Sequence, residues 1–254
     1  MPGTLFLSDL HLDASRPQIA RLFLDVLDTL GRNADAVYIL GDLFELWPGD
    51  DDDSLLGRAI TDGLRSCVTA GTPVHLLHGN RDFLIGEQFA ACSGCRLLDD
   101  PARIDLYGTP VLLMHGDILC TNDVDYQAFR AGVRDSRWQQ AFLRQSLQAR
   151  RDIAQALRGK SRASTRKKPE SIRDVNPDTV ARFMTDHGVQ QLIHGHTHRP
   201  GIHEFEIAGK PARRMVLGDW YRQGSLLECT PHGCRLRDIV PVCRPGAPGW
   251  QTPA

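Results

Sequence analysis

Five short apolar runs, each breaking off abruptly into charged or metal-binding residues, constrain this chain more than any other feature of its sequence. They are TLFLSDLHLD (4–13), AVYILGDLFELW (36–47), PVHLLHGNRD (73–82), PVLLMHGDIL (110–119) and VQQLIHGHTH (189–198). Continuous Leu, Ile and Val over this length read as strands buried on both faces. Between them, residues 17–30 carry apolar side chains at helical spacing, and residues 55–70 do so less regularly. Strands alternating with helices predict an α/β sheet with helices outside, and such sheets bind ligands beyond the carboxyl ends of their strands.

Beyond Pro200 the pattern changes. GIHEFEI, ARRMVLGDW, GSLLECT and GCRLRDIV read as short strands joined by turns, a meander of hairpins that suggests a second sheet packed on the first. Residues 1–240 are expected to form one domain, and the Pro/Gly-rich residues 241–254 a loose tail. About 125–173 fits neither pattern. Trp138, Phe142, Leu143, Leu147, Ile153 and Leu157 have near-helical spacing, and residues 130–173 hold 13 Arg/Lys against three acids. This predicts a basic helical insertion, with GKSRASTRKKPES (159–171) as a loop. The formal net charge of −1 hides that asymmetry.

No apolar stretch approaches the roughly 20 residues of a membrane span, and Asp9 falls too early for a secretory signal, so a cytosolic protein is expected. Seven scattered cysteines argue for reduced thiols rather than a disulfide framework, and C-x-x-C at Cys92/Cys95 has no second half to make a zinc site. The acidic run 49–54 reads as a solvated loop.

The polar ends of the five runs supply Asp9 and His11; Asp42; Asn80, Arg81 and Asp82; His115 and Asp117; and His194, His196 and His198. Period-two alternation puts Asp9 with His11, and His196 with His198, on one side. Glycines 41, 79, 116 and 195 allow the tight turns such a site needs. Asp9, His11, Asp42, Asn80, His115, His196 and His198 make seven donors. Seven is too many for one tetrahedral zinc and fits two metals sharing a carboxylate, with oxygen and imidazole ligands suited to Mn, Fe, Zn or Co. Single motifs of this kind are commonly caps or surface residues; five in order after buried strands point to a site. Asp82 is expected to support it by hydrogen bonding. Asp117 reads equally as a partner of a ligand histidine or as a turn residue, and His194 as a supporting residue.

D-x-H, GD, GNRD, a later His and GHTH resemble the calcineurin-like metallophosphoesterase superfamily over most of residues 4–235. The resemblance implies a four-layer α/β/β/α sandwich with a dinuclear site at strand ends. It also implies Asp9, His11, Asp42 and His198 on one metal, with Asp42, Asn80, His115 and His196 on the other. Many members carry GNH, whose histidine serves as general acid. Here Arg81 stands in its place; it cannot donate a proton at neutral pH but can hold a phosphate. That suits a leaving group needing no proton, such as the phosphate of a pyrophosphate.

SDLHL, GDLFELW, GNRDFL, HGD-x-LCT-x-D and HGHTHRP, with YQAFR (126–130) and DVN (174–176), are similar to the UDP-2,3-diacylglucosamine diphosphatase family of the lipid A pathway. That implies a hydrolase cleaving UDP-2,3-diacylglucosamine to 2,3-diacylglucosamine 1-phosphate and UMP, with water attacking the α-phosphate. Two Mn²⁺ ions are the implied cofactors, other divalent metals also fitting. Catalysis would fall to Asn80, Arg81, His115 and His196. Asn80, Arg81, Asp123, Ser161, Thr165, Lys168 and His196 would contact substrate. The insertion becomes a lid for acyl chains, with Trp138, Phe142 and Leu147 either acyl contacts or lid core. The partners expected are the UDP-linked lipid and, peripherally, the cytoplasmic face of the inner membrane; no nucleic acid is expected, and the chain is expected to be a monomer. The alternative is another dinuclear-metal phosphoesterase, such as a soluble nucleotide pyrophosphatase or a cyclic-nucleotide phosphodiesterase. The basic insertion argues against it.

Overall fold

The computed structural model describes residues 2–169, 172 and 174–240, with the backbone alone over 160–167. The first apolar run becomes β1 (Thr4–Leu7), followed by α1 (Pro17–Thr29), β2 (Ala36–Leu40), α2 (Leu55–Thr69), β3 (Val74–Leu77), α3 (Glu87–Ser93) and β4 (Arg96–Leu97). These four strands are parallel neighbours. A second set begins with the hairpin β5 (Ala102–Leu106) and β6 (Thr109–Met114). It continues through β7 (Gln191–His194), β8 (Gly201–Ile207) and β9 (Lys210–Val216). The last two strands are β10 (Gly224–Thr230) and β11 (Gly233–Ile239).

The sheets run β11-β10-β1-β2-β3-β4 and β5-β6-β7-β9-β8. The strands after Pro200 therefore do not make a separate sheet. One hairpin extends the first sheet and the other completes the second, because each sheet had an open edge to cover. The five runs likewise divide, three in one sheet and two in the other.

Alternate residues of the runs go to different cores, which is why the runs show no polar alternation. Leu5, Leu7, Val37 and Leu76 pack under α1–α3. Phe6, Leu40, Leu77, Leu113 and Ile193 meet between the sheets. Leu112, Met114 and Leu192 pack against Val180 and Met184 of α7 (Pro177–Asp186). The four layers are thus helices, sheet, sheet and helix, as expected. Strand twist and the shared inner core bring the ends of β1, β2, β3, β6 and β7 to one edge.

The insertion forms α4 (Val124–Arg134), α5 (Ser136–Leu143) and α6 (Leu147–Lys167). The expected loop at 159–171 is corrected: α6 runs through most of it. Ala, Arg and Lys are good helix formers, and low apolar content excludes burial, not helix. The acidic run is also corrected. Asp50 accepts from Trp47 Nε1 at 3.1 Å and from Gly86 N and Phe89 N at 2.9 Å each. Asp51 forms a two-point ion pair with Arg150 of α6, and Asp52 and Asp53 bind Arg151. It is the seat of α6 rather than a solvated loop.

The reduced-thiol expectation fails for one pair. Cys229 and Cys234 face each other across the β10–β11 hairpin, with Cα atoms 4.0 Å apart, and form a disulfide. Pairing register, invisible in cysteine spacing, brings them together. Cys67, Cys92, Cys95 and Cys120 are free thiols, and Cys243 and the expected tail lie outside the described residues.

Candidate dinuclear metal centre

The donors sit just past the strand ends, in loops that zip together. Asp9 N donates to Gly41 O at 3.1 Å and His11 N to Asp42 O at 2.8 Å. Asp9, His11, Asp42, His196 and His198 all have positive φ, between 49° and 66°. The expected strand alternation is therefore not what aligns them; left-handed turns do. Each such non-glycine residue costs of order 1 kcal/mol or more, and five together at one site are a sign of function. The close approach of these loops requires glycine twice: a Cβ on Gly79 would lie 2.0 Å from Asp42 Oδ1, and one on Gly195 2.0 Å from Ser8 Oγ.

All seven predicted donors converge, in two groups. In the first, His198 Nε2 lies 3.2 Å from Asp9 Oδ1 and 3.3 Å from His11 Nε2. In the second, Asn80 Oδ1 lies 3.0 Å from both His115 Nε2 and His196 Nδ1. Asp42 joins them: its Oδ2 is 3.7 Å from His11 Nε2 and its Oδ1 3.8 Å from His115 Nε2. One carboxylate oxygen facing each group is the arrangement of a bridging ligand. Two overlapping sets, Asp9–His11–His198 and Asp9–Asp42–His115, have donor atoms all within 4.8 Å of one another.

The electrostatics suit cations. Burial raises the Asp42 carboxyl above its usual range, and Asp82 and Asp9 add to this while His115 and His11 oppose it. Positive charge between the carboxylates would relieve the crowding. Burial drives His196 down to about 3, so its ring is neutral and available as a ligand. His115 Nδ1 donates to Leu40 O at 2.9 Å, which turns Nε2 toward Asn80 Oδ1 and the other donors; against burial, Asp42, Asp117 and Asp9 push this imidazole up to about 9, a proton that a cation would displace. The donor set, all imidazole and oxygen, fits divalent metals of the Mn, Fe, Co and Zn group.

A supporting shell holds these ligands. Asp82 accepts from four backbone N–H groups, of Asp42, Leu43, Phe44 and Gly79. It fixes the Asp42 turn and ligates nothing. Glu45 was not singled out from the sequence. Its Oε2 lies 3.2 Å from His11 Nδ1, and its Oε1 2.6 Å from Arg158 Nε of α6. Against the effect of burial, His11, Arg81 and Arg158 hold the Glu45 carboxyl at about 2. Tyr221 stacks on His11 with ring centres 5.1 Å apart, and Arg16 lies 4.7 Å over Tyr221. Glu45 stands three residues past Asp42 in GDLFELW, the one signal that could have marked it; Arg16 and Tyr221 carry no motif.

Asp117, fully buried, accepts from Tyr126 Oη at 2.7 Å and Arg130 Nε at 2.8 Å. It anchors α4 rather than touching a ligand histidine. His194 points into the wall, donating from Nδ1 to Gly195 O at 2.8 Å, with Arg214 at its other nitrogen. Asp123 caps α4 and pairs with Lys168 at 2.7 Å. The side chains of Ser161 and Thr165 lie outside the described residues.

Over the donors opens a polar cavity of about 410 Å³ that reaches Arg81, Asp123 and Tyr126. Arg81 Nε, buried, has no partner within the protein, so it is available to an anion. Beside it, an apolar cleft runs under the insertion between Leu46, Trp47, Phe83, Trp138, Phe142 and Leu157. Phe142 and Trp138 both line this cleft and pack against the main core, so the two readings of them are not exclusive.

Comparison with known proteins agrees with this geometry. The sequence model of the family described as calcineurin-like phosphoesterase matches residues 4–200. The UDP-2,3-diacylglucosamine hydrolase of Cellvibrio japonicus (strain Ueda107) is 51% identical over 236 residues, covering 93% of this chain and 98% of that one. The protein of the same name from Pseudomonas aeruginosa (strain UCBPP-PA14) is 53% identical over 233 residues, 92% of this chain and 97% of its own. That from Stenotrophomonas maltophilia (strain K279a) is 50% identical over 244 residues, 93% and 98% of the two chains.

Proposed function

The chain belongs to the calcineurin-like phosphoesterase family, and within it to the UDP-2,3-diacylglucosamine hydrolases, and from that premise we propose how its site works. It hydrolyses the pyrophosphate of UDP-2,3-diacylglucosamine, a step of lipid A biosynthesis, giving 2,3-diacylglucosamine 1-phosphate and UMP. The observation that carries this reading is the union of a polar cavity lined by five of the seven donors with an apolar cleft, with Asn80, Arg81 and Tyr126 lining both. A bond between a phosphate and a lipid-bearing sugar needs that pair of environments side by side.

Asp9, His11, Asp42 and His198 would hold one divalent ion, and Asp42, Asn80, His115 and His196 a second; manganese is the ion we favour. Bound there, the ions supply a nucleophilic water near neutral pH and Lewis-acid stabilisation of phosphoryl oxygens. The protein's own part is positional. Arg81 donates to the phosphate, offsetting charge that develops on the leaving phosphate. Because that leaving group is a phosphate, no side chain has to protonate it, and an arginine serves where a histidine acid would otherwise be needed. Asp123 and Lys168, already paired, are assigned to the sugar end, and Ser161 and Thr165 are assigned there on the family resemblance alone.

The insertion acts as a lid whose underside takes the acyl chains and whose basic outer residues favour an anionic membrane surface. No helix among the described residues is long and apolar enough to cross a membrane. We read the chain as a monomer that meets its lipid peripherally at the inner membrane.

Hydrolysis in ¹⁸O-labelled water tests the assignment. With Mn²⁺ and UDP-2,3-diacylglucosamine, label is expected in UMP. Label in the lipid phosphate overturns the direction of attack. No cleavage, with turnover of bis(4-nitrophenyl) phosphate retained, overturns the lipid substrate. Arg81→Ala should slow pyrophosphate cleavage by about 10²-fold, the typical effect of removing one transition-state donor.

A further inference from the structure

The reading above uses two of the described cavities, the polar one over the donors and the apolar cleft beside it. A third, of about 580 Å³, borders the metal cavity at Tyr221 and shares no lining residue with the apolar cleft. It is bounded by Pro200, Asp219, Tyr221, Arg222, Gln223 and Asp238. Tyr221 lines both it and the metal cavity, so the two are neighbours. The proposed substrate also has three parts in order: an acylated sugar, a pyrophosphate and a nucleoside. With the acylated end in the apolar cleft, reached past Asn80, Arg81 and Tyr126, and the pyrophosphate over the donors, the Tyr221 side of the metal cavity is left for the nucleoside.

The wall of this third cavity is a short loop between β9 and β10, and it is built to hold a shape. Trp220 is fully buried, with its ring edge-on to Phe23. Its backbone N–H donates to Asp9 O at 3.0 Å and its Nε1 to Ser225 O at 2.9 Å. Asp219 Oδ1 accepts from Tyr221 N at 3.1 Å, while Oδ2 faces the ligand His198 at 3.6 Å. The next three residues, Tyr221, Arg222 and Gln223, are all exposed. A loop pinned to the Asp9 turn, and then presenting three long polar-tipped side chains to a cavity, is a recognition element rather than a free connection.

We propose that this cavity seats the uridine of the nucleotide half, with Arg222 and Gln223 reading the base and Asp238 the ribose hydroxyls. The inference rests on the proposed substrate and deepens it. Uracil shows one N–H donor between two carbonyl acceptors. The Gln223 amide offers an acceptor and a donor, and the Arg222 guanidinium offers donors only. A carboxylate accepting from ribose hydroxyls is a recurrent way of holding a nucleoside. Cytosine reverses the pattern at its amino edge, so the pair should favour uracil over cytosine.

The test is binding of UMP, CMP and 2,3-diacylglucosamine 1-phosphate to the Mn²⁺-loaded full chain, as competitive inhibitors and by calorimetry. The proteins are wild type, Arg222→Ala, Gln223→Ala and the double variant. Tyr221 is left intact because it supports His11. The double variant should weaken UMP about tenfold or more, the loss of one or two hydrogen bonds to base and charge. It should also erase the UMP over CMP preference, while lipid phosphate affinity and Mn²⁺ content stay as in wild type. Unchanged UMP affinity and preference in the double variant overturn the subsite. So does an equal loss for UMP and lipid phosphate, which marks a general disturbance of the site. If wild type binds neither product yet hydrolyses bis(4-nitrophenyl) phosphate, the substrate reading falls first and the subsite falls with it.

Discussion

The loops carrying Asp9, His11, Asp42 and His115 are exposed by 2% or less and are fixed by backbone hydrogen bonds and a shared carboxylate, Asp82. The insertion α4–α6 rests on the same edge quite differently. Phe142, Trp138 and Ile153 reach the main core, buried Asp117 and Glu45 hold α4 and α6 through Arg130 and Arg158, and Arg150 and Arg151 add ion pairs to acids at a partly wet rim. Val124, Phe129 and Leu143 remain exposed. The free energy of local opening follows buried contact, so the metal frame should open only with the fold, whereas the proposed lid, with its partly wet rim, should open more readily. An enzyme that must hold a divalent metal in a fixed site and still admit a lipid is served by one element of each kind.

The sharpest break of this contrast is at the residue both metal groups share. Asp42→Ala should remove about 10³-fold or more of activity and lower bound metal from two ions toward one or none, while the lid seat stays unaffected. Metal analysis and amide exchange over α6 on the same sample check both halves. Chelation of wild type should abolish activity in the same way, with recovery on adding Mn²⁺. Loss of lid protection in Asp42→Ala would show that the two regions are not independent.

One layer out, Asp82→Ala strands four backbone N–H groups in a buried site. We expect a stability loss of about 3 kcal/mol, read by denaturant unfolding, since each orphaned buried donor is costly. Metal affinity should fall 10- to 100-fold, in line with lost outer-shell partners. Asp82→Asn keeps one acceptor and should lie between. A variant that loses metal but not stability would mean the frame is softer than its burial implies.

On the lid side, Trp138→Ala with Phe142→Ala empties the apolar cleft without touching a donor. KM for the diacyl substrate should rise roughly tenfold, as expected from about 1.5 kcal/mol of lost burial per large side chain, discounted for partial exposure. Turnover of bis(4-nitrophenyl) phosphate, which has no acyl chain, should hold within twofold. Equal loss on both substrates would make these residues packing for the frame rather than a surface for the lipid.

The same contrast governs what the sequence disclosed. The seven donors and the sheet order of layers were legible because a strand buried on both faces that ends in a ligand leaves a local signature. Asp82 was legible for the same reason. Glu45, Tyr221 and Arg16 were not, since their roles come from partners brought in by the fold: an arginine 113 residues away in α6, an imidazole, and a ring. The acidic run was misread because Asp51–Asp53 find Arg150 and Arg151 roughly 100 positions later. Cys229 and Cys234 were misread because strand register decides their pairing. Charge runs and thiols have no intrinsic fold, so only tertiary context tells a seat from a solvated loop.

The smallest effect belongs to the rim itself. Hydrogen bonds from Arg150 hold the Asp51 carboxyl below its usual range, and Arg151 does the same for Asp53. A carboxyl depressed in the folded state stabilises above its unfolded value, about 3.9, and loses that contribution as pH falls through its folded value. The lid seat should thus be intact at neutral pH and loosen only in acid. Asp51 is 59% exposed, so solvent screening limits its share to below about 1 kcal/mol, or at most about fivefold in opening. Comparing wild type with Asp51→Asn at each pH cancels the intrinsic pH dependence of amide exchange. At pH 7 the α6 amides of Asp51→Asn should exchange up to fivefold faster than wild type, and added salt should narrow the gap. Near pH 3 the two should converge, because the wild-type carboxyl is then losing its charge as well. A gap that persists undiminished in acid would mean that the lid is held by the buried contacts of Arg150 with Pro48 O and Gln145 O, and that the ion pairs are incidental.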